Sequence, residues 1–299
     1  HNFWLSLSLS FFMLLYTLVI AEIQADRWSE YFDIKNATVA SLHNIEQTIP
    51  AILLDPLWNL LGFNKVKLTP KVFKDRLGVF GEPTSLGIIL GIIIGILGNL
   101  NNLTDIDAWG EVLKFAIQLA AVMTIFPLIT DVFAKAFIPL ADAIDSRQKE
   151  EMKEKIHPKR WFLGIDDGVG YGEPATIISG MILIPIVVLL AFVLPGNRTL
   201  PVVDLIALPF MVESVVAITR GNILKIIANG IIWFSLGLYA SSWLGSVYTE
   251  AVSNYGATIP TGVVLITSFN LMARPLNAVV FAAFISQNPF WIGLCLVTY

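Results

Sequence analysis

WFLGIDDGVGYGEP, residues 161–174, puts four glycines and three carboxylates directly before an apolar run, PATIISGMILIPIVVLLAFVL, that continues to Leu194. The run is long enough to cross a bilayer, since a hydrocarbon layer of roughly 30 Å takes about 20 apolar residues at 1.5 Å each. Its neighbour is not. Backbone at membrane depth must satisfy its own hydrogen bonds, so a polar, glycine-broken stretch survives there only inside protein or against a wet cavity. A re-entrant hairpin is the economical reading, and it makes the chain a polytopic, all-α membrane protein.

A second stretch of the same kind precedes it. Residues 37–63 are apolar but contain His43, Glu46, Gln47, Pro50, Asp55 and Pro56. The remaining apolar segments read as spans: 3–23, 83–103, 109–140, 175–194, 222–243 and 261–285. An amphipathic stretch, 24–35, carries Trp28, Tyr31 and Phe32 and suits the aromatic belt at a membrane surface. Residues 202–220, interrupted by Asp204, Pro209 and Glu213, read as a further broken or interfacial element. The resulting division is 1–36 (transmembrane and amphipathic helices), 37–63 (first hairpin region) and 64–160 (basic loop, helical hairpin, second charged loop). It continues with 161–221 (second hairpin region and following helices) and 222–299 (C-terminal spans).

Composition agrees. Of 299 residues 56% are hydrophobic and 14% charged, where soluble chains carry about a quarter charged residues. A net charge of -4 leaves no basic footprint, so nucleic acid is not an expected partner. Basic residues gather in two short loops: Lys65, Lys67, Lys71, Lys74 and Arg76 in 64–78, then Arg147, Lys149, Lys153, Lys155, Lys159 and Arg160 in 142–160. The positive-inside rule puts both in the cytoplasm, and two spans between them return the chain to the same side. Residues 2–22 lack the basic start and cleavage site of a signal peptide. A first residue that is His1 rather than Met, and an end within the apolar stretch 290–299, lead to the expectation of a longer protein.

Several residues are candidates for chemistry. Gly87, Gly91, Gly95 and Gly98 share one helix face, a small-residue stripe that reads first as helix packing. Gly-Glu-Pro occurs at 81–83 and at 172–174, each time before an apolar helix. Proline suits the first helical turn, and a carboxylate there meets the positive helix end. Glu82 and Glu173 are therefore helix starts in one reading and acceptors for substrate hydroxyls in another, with Asp166 and Asp167 beside the second. Intramembrane ionisable groups default to a functional hypothesis. His43, with Gln47 four residues on, is either a structural residue or part of the same site. His157 reads as a solvated loop residue. No metal motif, Cys-x-x-Cys, nucleophile elbow or P-loop is present, and the single cysteine, Cys295, is given no role. No cofactor is expected. Adjacent Asp166 and Asp167 do not suit an intramembrane aspartyl protease.

Long motifs carry a family likeness: RLGVFGEPTSLGIILGIIIGIL (76–97), LAAVMTIFPLI (119–129), FLGIDDGVGYGEPATIISGMILIPI (162–186), VLPGNRTLPVVDL (193–205) and ITRGN (218–222). Together they resemble the galactitol-type enzyme IIC, the sugar permease subunit of the bacterial phosphotransferase system, related to the ascorbate-type transporters. The resemblance implies a homodimeric, inverted-repeat transporter of the cell membrane, with the two broken segments as its re-entrant hairpins. It implies a sugar or polyol, galactitol-like, that is phosphorylated on delivery by a separate phosphorylated IIB protein served by IIA, so that this chain is the membrane component of a phosphotransferase complex. His43, Gln47, Glu82, Asp166, Asp167 and Glu173 are then expected to hold the substrate. The competing reading is an ion-coupled secondary transporter, which also places acids and a histidine on broken helices.

Overall fold

A computed structural model describes residues 2–66, 68–153, 161–201, 204–259, 261 and 263–298. His157 lies outside the described residues, as do most of the basic positions after Lys149. Among the described residues four helices are long and apolar enough to cross a membrane: α1 (Phe3–Phe32), α6 (Ile106–Lys153), α7 (Pro174–Val193) and α9 (Ile223–Asn254). Between them lie β1 (Ala37–Val39), α2 (Leu42–Ile45), α3 (Thr48–Leu60), α4 (Pro70–Leu77) and α5 (Pro83–Gly98). β2 (Leu163–Ile165) and α8 (Leu208–Thr219) precede α9, and α10 (Phe269–Met272), α11 (Pro275–Ile285) and α12 (Pro289–Thr298) follow it.

Local chemistry sets the helix starts. Asn2, Thr69, Glu173 and Asn222 each accept a backbone N–H of the first turn of α1, α4, α7 and α9, which satisfies donors a helix cannot pair itself. Proline opens α4, α5, α7 and α11, where its missing N–H costs nothing.

The glycine stripe packs helices. A Cβ on Gly87, Gly91 or Gly95 would lie 2.8, 2.5 or 2.8 Å from the Cα of Ala120, Ala116 or Val112, so α5 and α6 run antiparallel in backbone contact. Gly98 has nothing within 4 Å and belongs to the stripe by spacing alone. α7 begins at the same level of α6, near its middle, as α5 does: Thr84 bonds Thr124 at 3.0 Å, and a Cβ on Gly172 would meet the Pro127 Cα at 2.7 Å. α8 then brings the chain back. Asn222, just beyond it, donates to the carbonyls of Phe63 and Val66 at 3.2 and 3.3 Å, beside basic α4. The loop at Pro195 therefore sits at the opposite end of α7 from Glu173. The main core wraps α7 and α8, where Leu183, Leu208, Met211, Val212 and Val215 are wholly buried.

Several sequence expectations change. Residues 24–35 are no separate interfacial helix; α1 runs on to Phe32, and Gln24 and Trp28 are wholly buried in protein. Packing against α8 takes the aromatic face that would otherwise seek a membrane surface. The 261–285 span is two short helices, because residues 263–268 form no helix and Pro275 starts α11. α6 continues through the first part of the charged loop to Lys153. The class remains all-α, with one small addition: β1 and β2 pair in parallel, Ala37 opposite Leu163 and Val39 opposite Ile165. An apolar stripe on α1, including Phe3, Trp4, Phe11 and Leu14, stays exposed, as a lipid-facing surface does.

Candidate functional site

The two broken segments are neighbours. Each runs strand, one helical turn, apolar helix, and the strands form the β1–β2 pair. The turns then meet: His43 Nε2 contacts the Asp167 carboxylate. Ser41 Oγ lies 3.1 Å from His43 Nδ1, so a ring that donates to Asp167 accepts from the serine. Asp166 turns the other way, its Oδ1 accepting from Gly168 N at 2.8 Å and closing the tight turn. Gln47 donates to the Met211 carbonyl of α8.

Beneath the junction lies Glu213, wholly buried on α8. It accepts from Trp28 Nε1 at 2.8 Å and from Asn44 Nδ2 at 3.2 Å. Asn44 Oδ1 in turn accepts both the N–H and the hydroxyl of Ser214, at 2.8 and 2.6 Å. Gln24 continues the polar seam, accepting from Thr48 at 2.7 Å and donating to the Val39 carbonyl at 3.1 Å. These groups tie α1, the first broken segment and α8 together; buried polar groups of this kind persist only when paired.

The glycines of residues 161–174 now have separate reasons. A Cβ on Gly170 would fall 2.1 Å from Glu213 Cδ, so only glycine lets the turn close over that carboxylate. Gly172 lets α7 start against α6.

The two Gly-Glu-Pro glutamates differ. Glu173 is committed: Oε2 accepts the Thr176 N–H and hydroxyl at 2.7 and 2.9 Å, and Oε1 accepts from Tyr31 at 2.8 Å. Glu82 is half-exposed, makes no cap bond and pairs with Lys74 at 3.0 Å. Of the six residues singled out in the sequence, His43 and Asp167 touch, and Gln47 and Asp166 flank them on the same two turns. Glu173 starts α7 close by, and Glu82 stands with α4. Sequence reasoning passed over Glu213, Asn44 and Trp28 as site residues. For Glu213 the signal was present, an acid inside the apolar LPFMVESVVAIT. Among the described residues no His, Cys, Asp and Glu group has the geometry to hold a metal ion.

Chemically, the junction offers carboxylate and amide acceptors and a histidine on two short turns, the second of them glycine-rich. Comparisons with known proteins point the same way. Residues 1–262 match the EIIC-GAT family, described as PTS system sugar-specific permease component. The chain is 30% identical over 239 residues to the galactitol-specific EIIC component of the PTS system of Escherichia coli K12, covering 80% of this chain and 50% of that protein. A putative permease IIC component of the same strain is 27% identical over 200 residues, 67% of this chain and 43% of that one. The chain thus spans about half the length of the curated relatives it matches. No solved structure matches.

Proposed function

The chain belongs to the EIIC-GAT family of PTS sugar-specific permease components and is a multi-pass protein of the bacterial inner membrane; on that premise we propose that it translocates a galactitol-like polyol, phosphorylated on delivery by a separate IIB protein charged through IIA. The observation that carries the reading is the His43–Asp167 contact, which joins two polar turns from segments more than a hundred residues apart. In this proposal residues 37–63 and 161–173 are re-entrant hairpins of an inverted-repeat fold. Their common order of strand, turn and apolar helix supports it, as does the pairing of their strands. Broken helices meeting near the midplane are where transporters build their sites.

Asp167, His43, Asp166 and Gln47 hold the substrate hydroxyls, while Glu173 caps α7 and Glu82, paired with Lys74, stands at the start of α5, the second of the two helices that frame the passage. A homodimer completes the assembly, and the exposed apolar stripe of α1 is consistent with contact to lipid or to a second copy. Delivery exposes one substrate hydroxyl to the donor, and a carboxylate at the junction takes its proton as the phosphoryl group arrives.

The test is phosphoenolpyruvate-dependent uptake of labelled galactitol in cells with and without the cognate IIB, for wild type, Asp167→Asn, Glu82→Gln and Glu173→Gln. Galactitol phosphate is expected inside only when IIB is present. Asp167→Asn is expected to lower uptake by about tenfold or more, the scale of losing a positioned charged hydrogen bond, and Glu82→Gln by less. Free galactitol accumulating with the proton gradient would instead identify an ion-coupled transporter. Normal uptake and phosphorylation by Asp167→Asn would remove the junction from the site.

A further inference from the structure

Glu213 stands within the apolar α8 with none of its surface exposed, behind the residues assigned to the substrate. Its bonded partners, the Trp28 indole and the Asn44 amide, are both neutral. A carboxylate taken out of water without a cation beside it is costly, and an apolar side chain of similar volume in such a place is often neutral or stabilising. An acid at this position calls for a reason beyond packing.

The hydrogen bonds supply one. Asn44 cannot be turned over: its Oδ1 accepts the Ser214 backbone N–H at 2.8 Å, a group that only donates, so its Nδ2 must face Glu213 Oε2. An indole N–H likewise only donates, and it faces Oε1. Position 213 must therefore present an acceptor in both directions. A carboxylate does so. The amide of a glutamine has the same shape but presents one acceptor and sets its NH2 against the other donor.

The same carboxylate reaches both turns of the junction. Asn44 adjoins His43 on α2, so its bond to Glu213 fixes the turn that carries the histidine. On the other side Gly170 closes the turn Asp167–Val169, its N–H donating to the Asp167 carbonyl at 3.1 Å. Gly170 has φ -88° and ψ -14°, angles open to any residue, so the turn itself does not ask for glycine. Glu213 does: an added Cβ would fall 2.1 Å from its Cδ and 2.3 Å from its Oε1. The backbone behind Asp167 thus rests on the group that holds the backbone beside His43, and those two side chains are in contact.

We propose that Glu213 is a positioning residue for transport: through Asn44 and the Gly170 backbone it sets the separation of His43 and Asp167, without touching the substrate itself. Supporting groups of this kind hold binding side chains to within about 0.5 Å of their working geometry. The inference rests on the reading of His43 and Asp167 as groups that hold the polyol, and it adds a charged pair of acceptors behind them as a requirement.

Two measurements test it, on Glu213→Gln and on Gly170→Ala. The first is uptake of labelled galactitol with IIB present, expressed per molecule of chain in the membrane. Each variant is expected to raise KM by about tenfold, the worth of roughly one hydrogen bond lost through misplacement. A role in folding alone lowers the amount of chain and leaves KM where it was. The second joins the two turns directly, with His43→Cys and Asp167→Cys in a Cys295→Ser background, purified in detergent and treated with a short bifunctional thiol reagent. Adding either variant is expected to slow the cross-link about threefold or more, because its rate follows the effective concentration of the second thiol. Gly170→Ala decides should Glu213→Gln not fold. An unchanged KM in chain that reaches the membrane, or a cross-link slowed by less than that, would overturn the positioning role. Wild type that takes up no polyol would overturn the functional reading instead, with the cross-link alone then deciding whether Glu213 spaces the two turns.

Discussion

Asn44 shows how much a single amide can hold. Its oxygen takes two donors from Ser214 and its nitrogen serves Glu213, so removing it leaves a wholly buried carboxylate and a buried N–H each short of a partner. Asn44→Ala is expected to destabilise the chain by about 1–3 kcal/mol per group left unmet, whereas Ser214→Ala keeps the backbone bond and costs about 1 kcal/mol. Thermal unfolding in detergent micelles compares them; equal losses would mean the amide is not the keystone. At this scale the sequence was half legible. His43, Asp167 and Gln47 stood out because polar side chains in an apolar broken stretch need a reason. Trp28 did not, because an aromatic near a helix end reads equally well as a membrane anchor, and only the partner 185 positions away in sequence distinguishes the two. Glu82 and Glu173 share a tripeptide, yet Tyr31 and Thr176 claim one and Lys74 the other. Local sequence carries the helix start and not the partner.

Helices and turns were read with more success where spacing alone decides. The stripe on α5 predicts close packing, and three of its four glycines press on α6. Gly91→Ala sets a Cβ 2.5 Å from the Ala116 Cα, so the helices must part; a loss of about 1–3 kcal/mol is expected, as for overpacked cores. Gly98→Ala meets nothing and is expected to change stability by under about 0.5 kcal/mol. Unfolding midpoints of the two variants, measured side by side, check this, and similar losses would dissolve the distinction. The 261–285 run failed as a span because hydropathy sums side chains and ignores where a proline must begin a helix. The β1–β2 pair was invisible for a different reason: three-residue strands have no period to detect, and their partner comes from the other broken segment.

For the whole molecule, charge and packing agree on orientation. Basic α4 lies beside the turn into α9, and the α5–α6 turn is at the far end of the glycine seam. In a Cys295→Ser background, a cysteine at Lys71 is expected to react with an impermeant thiol reagent only after the membrane is breached, and one at Asn101 in intact spheroplasts. The reverse pattern would invert the molecule. Association of the two broken segments was expected only through the family resemblance, which put His43 and Asp167 on one substrate; nothing in the composition or spacing of either stretch names the other.

The paired strands act as a compass. A ribbon of two has an outer rail on each side, where N–H and C=O groups point away from any neighbouring strand. Gln24 meets the Val39 carbonyl on one rail, and over the face shared by the paired Thr38 and Gly164 lies a hollow of about 700 Å³ bordered also by Glu22 of α1. Acyl chains have nothing to offer such rails. The flank bearing Ala40 and Gly164 must turn toward water or toward protein, and the oily flank of α1 is left to meet the fatty tails.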